Sequence, residues 1–424
     1  MVLEFSPDLG GGLYLDACAT APPRAEVLQH MAAVQRSAWG NASSLHPQGL
    51  RAAEQLERSR LELAQAFGAD VEEVIVTSGA TESIHLALLG VARCQPPGRL
   101  VISAVEHPAV EAAASRMVER GWQIARWPVD GEGTLRLDQL EVLLAPPTRL
   151  VSLIWGQSEV GTLQPVQRVG EACRARGIPL HVDATQVVSQ GRPAWSLLPV
   201  DLLSASAHKC GGPKGVGLLL RRRALGERHG PIQAGGGQEG GLRGGTQPVA
   251  LMAGMARAIS LLDPWLDPQD PEADPGSSRM GAVQQRRDRL LQQLLDLAPL
   301  QRLGAPVQRL PHHIALLAAD PQGRPLPGRA VVRALAAEGV AISSGSACAS
   351  GRDSGSPVLA AMGIAPDWCR SGLRLSLGPW LSATDLDAVA TQVQGALERV
   401  AATSAPAGRP WKAKDVPGVK PPRT

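Results

Sequence analysis

The sequence predicts an α/β protein: a mostly parallel β-sheet with helices on both faces, completed by a second, smaller α/β domain. Three observations carry this. From about residue 50 to 220, short apolar runs alternate with amphipathic helical stretches. The runs are hydrophobic along their whole length, as strands buried on both faces are. A very Gly-rich segment, 230–247, then breaks the alternation, and strand and helix patterns resume to about residue 402.

In chain order, Leu50–Phe67 has helical apolar spacing and Val71–Thr77 reads as a short buried strand. Glu82–Ala92 is a helix, Leu100–Ala104 a strand and Ala109–Arg120 a helix. Arg149–Trp155 is a strand, Val166–Arg176 a helix and Pro179–Asp183 a strand. Asp201–Ser204 and Gly217–Arg221 are strands around the segment that holds Lys209. Leu251–Leu262 returns to helix, and Asp263–Gly281, rich in Pro and Asp, reads as a surface loop. A basic helix is expected over Ala282–Leu297. Strands Ile314–Ala318, Ala341–Ser343 and Leu373–Ser376 then lie between helices Gly328–Glu338 and Ala383–Ala402. Ser404–Thr424 holds five Pro and three Lys and is expected to be a disordered tail.

Composition narrows the function classes. Of the 424 residues 44% are hydrophobic and 19% charged, as in soluble globular chains. The net charge of +3 calls for no polyanionic partner, so no nucleic acid is expected. No run of about 18 apolar residues suggests a membrane span, and no basic-then-apolar leader is visible. Six scattered Cys with no C-x-x-C pair fit a reducing, cytoplasmic setting and no zinc site. Neither a P-loop nor a strand-linked G-x-G-x-x-G is present. Among 42 basic residues only five are Lys, and Asn41 is the only Asn. A general bias toward Arg explains the excess, and the residues that persist against it stand out.

Lys209 follows the expected strand Asp201–Ser204 and precedes Cys210-Gly211-Gly212-Pro213. A Lys at a strand end among small residues either projects into solvent or enters a cleft, where desolvation makes it nucleophilic toward a carbonyl. Pyridoxal phosphate (PLP) is the common carbonyl cofactor for such a Lys. PLP needs an acid beside its ring nitrogen, and Asp183 ends an apolar strand; a helix N-cap is the other reading. Gln186 is placed to bond the ring hydroxyl. Thr77-Ser78-Gly79-Ala80-Thr81-Glu82-Ser83 follows a strand and opens a helix, which suits either a phosphate cradle or an ordinary capped start. Ser206 and His208 offer further donors, and His107 offers a ring to stack or a structural imidazole.

With these segments in this order, the chain resembles the NifS/IscS-type cysteine desulfurases, which are class V aminotransferase-like, fold type I PLP enzymes. The matching segments include Tyr14-Leu15-Asp16, Asn41-Ala42-Ser43-Ser44-Leu45-His46, Ser78–Ser83, Glu106-His107, His181–Gln186, Ser206–Lys209, Gly235–Glu239, Arg243–Thr246, Ser343–Cys348 and Leu373–Gly378. They cover nearly all of the chain except the tail. The resemblance implies a large domain with a seven-stranded, mostly parallel sheet over 21–257. It implies a small domain over 1–20 and 258–402 that carries a catalytic Cys loop, with 403–424 as the tail.

It also implies roles. Lys209 would hold PLP as a Schiff base and shuttle protons. Asp183 would pair with the ring nitrogen, Gln186 with the ring hydroxyl, and His107 would stack on the ring. Gly79, Ala80, Thr81, Ser206 and His208 would hold the phosphate, with Thr246 supplied across a homodimer interface. Arg374 and Asn41 would bind the substrate carboxylate; Arg suits bidentate recognition. Cys348, in the Ser/Gly/Ala-rich stretch Ser343–Gly351, would attack the sulfur of L-cysteine and carry it as a persulfide to an acceptor or iron–sulfur scaffold protein.

The chain departs from the family pattern at Gln157-Ser158-Glu159, where Asn-Asn-Glu is usual. The second Asn contacts the cofactor ring hydroxyl in the family, and Ser158 is shorter. Cys18 and Cys210 are expected to be passive. A related C–S or selenocysteine lyase would not need Cys348, and a non-catalytic assembly scaffold would bind no cofactor.

Overall fold

The computed structural model describes residues 12–265, 278–345 and 355–403. The first part contains β1 (Leu13–Tyr14), α1 (Ala25–Ser37), α2 (Pro47–Phe67), β2 (Val74–Thr77), α3 (Ala80–Cys94), β3 (Arg99–Ser103), α4 (Pro108–Val118) and β4 (Gln123–Trp127). It continues through α5 (Leu140–Leu144), β5 (Thr148–Ile154), α6 (Val166–Ala175), β6 (Leu180–Asp183), α7 (Thr185–Val188), β7 (Leu202–Ser206), β8 (Gly217–Arg221) and α8 (Val249–Ser260). The remainder comprises α9 (Arg279–Leu297), β9 (Leu300–Arg302), β10 (His313–Ala318), α10 (Gly328–Ala336), β11 (Val340–Ala341), α11 (Pro357–Ala361), β12 (Gly372–Ser376), α12 (Ala383–Leu386) and α13 (Val389–Thr403).

Seven strands form the large sheet in the order β2-β8-β7-β6-β5-β3-β4. The run β7-β6-β5-β3-β4 is parallel, and β8 is antiparallel to both its neighbours. The seven-stranded, mostly parallel sheet expected from the sequence is therefore present. Parallel strands align their C-terminal ends along one edge, where α/β proteins place their chemistry. A second, antiparallel sheet runs β12-β10-β9, and β1 pairs in parallel with β11. Leu15 shares a core with Leu290, Leu316, Leu375 and Val393. The chain's first strand thus packs with its last elements.

Several expected boundaries are corrected. Val71–Glu73 is a 3-10 turn, and only Val74–Thr77 is strand, because Asp70 and Glu73 form a capping box there. The helix expected from Ala282 begins at Arg279, because the Ser278 hydroxyl accepts from Gly281 N and caps it. Ala383–Ala402 is two helices broken at Asp387 and Ala388. In the expected strand Ala341–Ser343, Ser343 forms only an isolated bridge with Arg374. The edge strand β4 escaped the apolar pattern because its Gln-Ile-Ala-Arg-Trp sequence is mostly solvent-facing, and Arg126 pairs there with Glu111 at 2.7 Å.

One buried ion pair fixes the Gly-rich segment. Glu239 takes a positive φ of 50° and accepts from Arg60 through two bonds of 2.8 Å. The same carboxylate accepts from Val76 N at 2.8 Å, so α2, β2 and residues 237–242 are fastened together.

Candidate active site

Lys209 sits in a one-turn 3-10 helix just after β7. Its Nζ donates to the carbonyls of Cys18 at 2.5 Å and Ala19 at 2.8 Å. Gln186 Nε2 donates to the same Cys18 carbonyl at 3.0 Å, so one backbone oxygen ties the two side chains together. Gln186 Oε1 is buried without a hydrogen-bond partner among the described residues. Asp183 ends β6, and its Oδ1 accepts from Thr185 N at 3.0 Å and Thr185 Oγ1 at 2.5 Å. Those bonds leave Oδ2 for an N–H donor above the strand ends. Asp183 thus braces the turn that leads into α7; the N-cap of that helix is Ala184, so the expected helix-cap role is not seen.

At the start of α3, Gly79 is the N-cap and lies against β8: a Cβ built on Gly217 would come within 2.6 Å of Gly79 Cα. A Cβ on Gly79 itself would meet Ser206 Oγ at 3.8 Å. Gly79 and the buried Ser206 therefore stand side by side at the positive end of a 15-residue helix. Thr81 is exposed in the first turn. His208 Nδ1 lies 3.1 Å from Thr20 Oγ1, and burial beside Lys209 and Lys214 holds the imidazole down to about 4, so it is neutral at pH 7.

His107 caps α4, with Nδ1 accepting from Ala109 N at 3.1 Å. A neutral ring with Nδ1 as acceptor carries its proton on Nε2. Across the cleft, Arg374 on β12 is nearly fully buried. Its Nη2 donates to Asp16 Oδ1 at 2.7 Å and its Nη1 to the Ser158 carbonyl at 3.1 Å, while Nε has no acceptor among the described residues. His313 Nε2 lies 3.1 Å from the same Ser158 carbonyl. Ser158 is thus held by its backbone. Gln157 closes the loop by accepting from Glu159 N at 2.5 Å and Val160 N at 2.9 Å.

The remaining expected site residues stand apart within one chain. Asn41 is exposed and its Oδ1 accepts from Ser43 N at 2.9 Å. Thr246 is exposed on the segment between Glu239 and α8. Cys348 lies outside the described residues. Cys18 and Cys210 are buried, and burial pushes both thiols up, Cys210 to about 11.

Two groups carried no assigned role in the sequence. Glu106 is buried and its Oε1 accepts from Ser103 Oγ at 2.6 Å, Ile154 N at 2.8 Å and Ser103 N at 3.3 Å. His181 is fully buried, with ring nitrogens 2.8 Å from Ser152 Oγ and Ser204 Oγ. The only signal for either was its place beside His107 or Asp183 in a recognised segment.

Residues 13–389 match the aminotransferase class-V family. The chain belongs to that family. It is 34% identical over 397 residues to the cysteine desulfurase IscS of Haemophilus influenzae strain PittGG, covering 92% of this chain and 94% of that one. It is 36% identical over 381 residues to a cysteine desulfurase of Cereibacter sphaeroides, covering 88% and 93%. Among solved structures, a NifS-like protein superposes with a TM-score of 0.80 at 29% identity, covering 91% and 99%. SspA in complex with cysteine superposes with a TM-score of 0.73 at 28% identity, covering 87% and 100%.

Class V enzymes of this type depend on PLP, and the described residues fit that cofactor. Gln186, whose Oε1 is buried with no partner among the described residues, shares the Cys18 carbonyl with Lys209 Nζ; Asp183 ends the strand three residues before Gln186, and Gly79 opens α3 beside Ser206. The class-V fold supplies these groups from strand ends, which fixes their spacing more tightly than loops would.

Proposed function

We propose that this class-V chain is a PLP-dependent cysteine desulfurase that converts L-cysteine to L-alanine, stores the sulfur as a persulfide on Cys348 and donates it for iron–sulfur clusters or other thio-cofactors. The observation that carries the reading is that Lys209 and Gln186 share the Cys18 carbonyl, next to the end of the strand that carries Asp183, in a chain 34–36% identical to cysteine desulfurases.

When bound, PLP supplies a carbonyl for the substrate amine and an electron sink for its α-carbon. Asp183 keeps a negative charge at the ring nitrogen. Gly79, Ala80, Thr81, Ser206 and His208 hold the phosphate, with Thr246 reaching in from a second copy; the exposure of Thr246 on a segment pinned by Glu239 supports a homodimer. Gln186 and Ser158 lie at the ring hydroxyl. Arg374 and Asn41 take the substrate carboxylate. Lys209 Nζ leaves the Cys18 and Ala19 carbonyls and removes the α-proton. His107 covers the ring and offers its Nε2–H to the substrate. The Cys348 thiolate attacks the substrate sulfur: an S–S bond forms, the C–S bond breaks, its electron pair stays on carbon, and protonation there gives alanine.

The shared core of Leu15 with Leu290 and Leu375 supports a small unit made of the N-terminal strand and the residues beyond 257. No helix among the described residues is long and apolar enough to cross a membrane. The described cysteines are all free, which supports a reducing, cytoplasmic setting. The test is incubation of the PLP-loaded chain with L-cysteine. Alanine is expected in step with sulfur transferred to a thiol acceptor; visible cofactor with no alanine would overturn the reading.

A further inference from the structure

We propose that Glu106 is carried as a neutral carboxylic acid that braces the ends of β3 and β5 and so adds no second negative charge beside Asp183 beneath the cofactor. The proposal rests on the PLP reading of the floor and assigns a positioning residue to it.

The geometry of the carboxyl group is lopsided. Oε1 takes three donors, from Ser103 N, Ser103 Oγ and Ile154 N. Oε2 is buried and has no partner among the described residues. An ionised carboxylate would leave bare negative charge on a desolvated oxygen, among the most costly states a protein interior can hold. A proton on Oε2 removes that charge and leaves all three bonds to Oε1 intact. Asp183 on β6 is the charged group that faces Glu106, and β3 and β5 contribute only backbone and hydroxyl donors. Burial is the main cause that pushes the Glu106 carboxyl up to about 8, and the Asp183 charge adds to it.

The brace has a function. Ile154 pairs with Asp183 across β5 and β6, and Ser103 lies four residues before His107. Glu106 thereby links the strand that carries the Asp183 partner to the turn that carries His107. A second negative charge beside Asp183 would alter the field at the ring nitrogen; a neutral acid fixes the geometry without altering it.

The test compares holoenzyme of wild type and Glu106→Gln. Gln keeps the acceptor oxygen and is neutral at every pH. A group whose folded pKa is raised stabilises fully below its unfolded pKa and loses that contribution as pH rises to the folded value. The melting temperature of Glu106→Gln minus that of wild type is therefore expected to grow by several degrees between about pH 4.5 and about pH 8, then level off. The visible cofactor band at neutral pH should be the same in both proteins. A pH-independent difference, or a band shift in Glu106→Gln at neutral pH, would overturn the proposal. If Glu106→Gln does not fold, the wild-type infrared spectrum decides: a protonated-carboxyl stretch lost between about pH 6 and pH 10 supports it, and its absence at pH 6 contradicts it. A wild type with no visible cofactor band would instead sink the PLP reading.

Discussion

The two sheets meet the same cleft with opposite charge. The floor, at the ends of β3, β5 and β6, offers Glu106, Glu159 and Asp183; the wall, on and before β12 and β10, offers Arg374 with His312 and His313 behind it. Burial acts on both in the same direction. It pushes Glu106 and Glu159 up and drives His312 down to about 3 and His313 well below its usual value. Arg374 differs: Cys18 and Asp16, the latter bonded at 2.7 Å, outweigh desolvation and hold its guanidinium charged. In the proposed reading the floor serves the cofactor ring through Asp183 and the wall serves the substrate carboxylate through Arg374.

The largest break in this pairing comes from the group between the two sides. Lys209→Ala should lower alanine formation roughly a thousandfold or more, measured in single turnovers. Retention of a tenth of the activity would place the proton transfer elsewhere. On the wall, Arg374→Lys keeps the charge but loses the fork that holds Asp16 and Ser158 together. It should raise KM for L-cysteine roughly 10- to 100-fold, with a smaller change in kcat. An unchanged KM would remove Arg374 from substrate binding.

The two sides also separate by pH. The depressed His312 stabilises the fold above its unfolded pKa near 6.5, and that contribution is lost as pH falls toward about 3. Thermal melts of His312→Gln and wild type should therefore diverge on the acid limb, the variant losing less. Divergence only above pH 6.5 would contradict the assignment.

Away from the cleft, Glu239→Gln leaves the buried Arg60 with only the exposed Glu57 carboxylate, 3.6 Å away, as counter-charge. It should cost about 3 kcal/mol of stability, read by urea denaturation. The smallest effect is expected at the departure from the family pattern. Ser158 is held through its carbonyl, so Ser158→Asn should tighten PLP binding only about fivefold, the worth of one hydrogen bond. A hundredfold gain would show that the lost Asn limits this enzyme.

Much of the floor was legible in the sequence, because strand ends and Gly turns are local signals. Lys209, Asp183, Gln186 and Gly79 all fall at such junctions, and the structure brings them to one edge. The sequence did not show what depends on distant partners. Arg60 and Glu239 are 179 residues apart, and the Arg374 bond to Asp16 spans 358. The Ser278 cap was hidden behind a Pro- and Asp-rich run, and β4 was hidden by its solvent-facing side chains. Glu106 was visible as a residue, but the partnerless Oε2 that gives it meaning exists only in the folded protein.

The most direct test of sulfur transfer is intact-mass measurement of the PLP-loaded wild type and Cys348→Ala after exposure to L-cysteine. One added sulfur atom on wild type and none on the variant is the predicted result. The same mass gain on both proteins, or alanine formation by the variant at the wild-type rate, would contradict the role of Cys348.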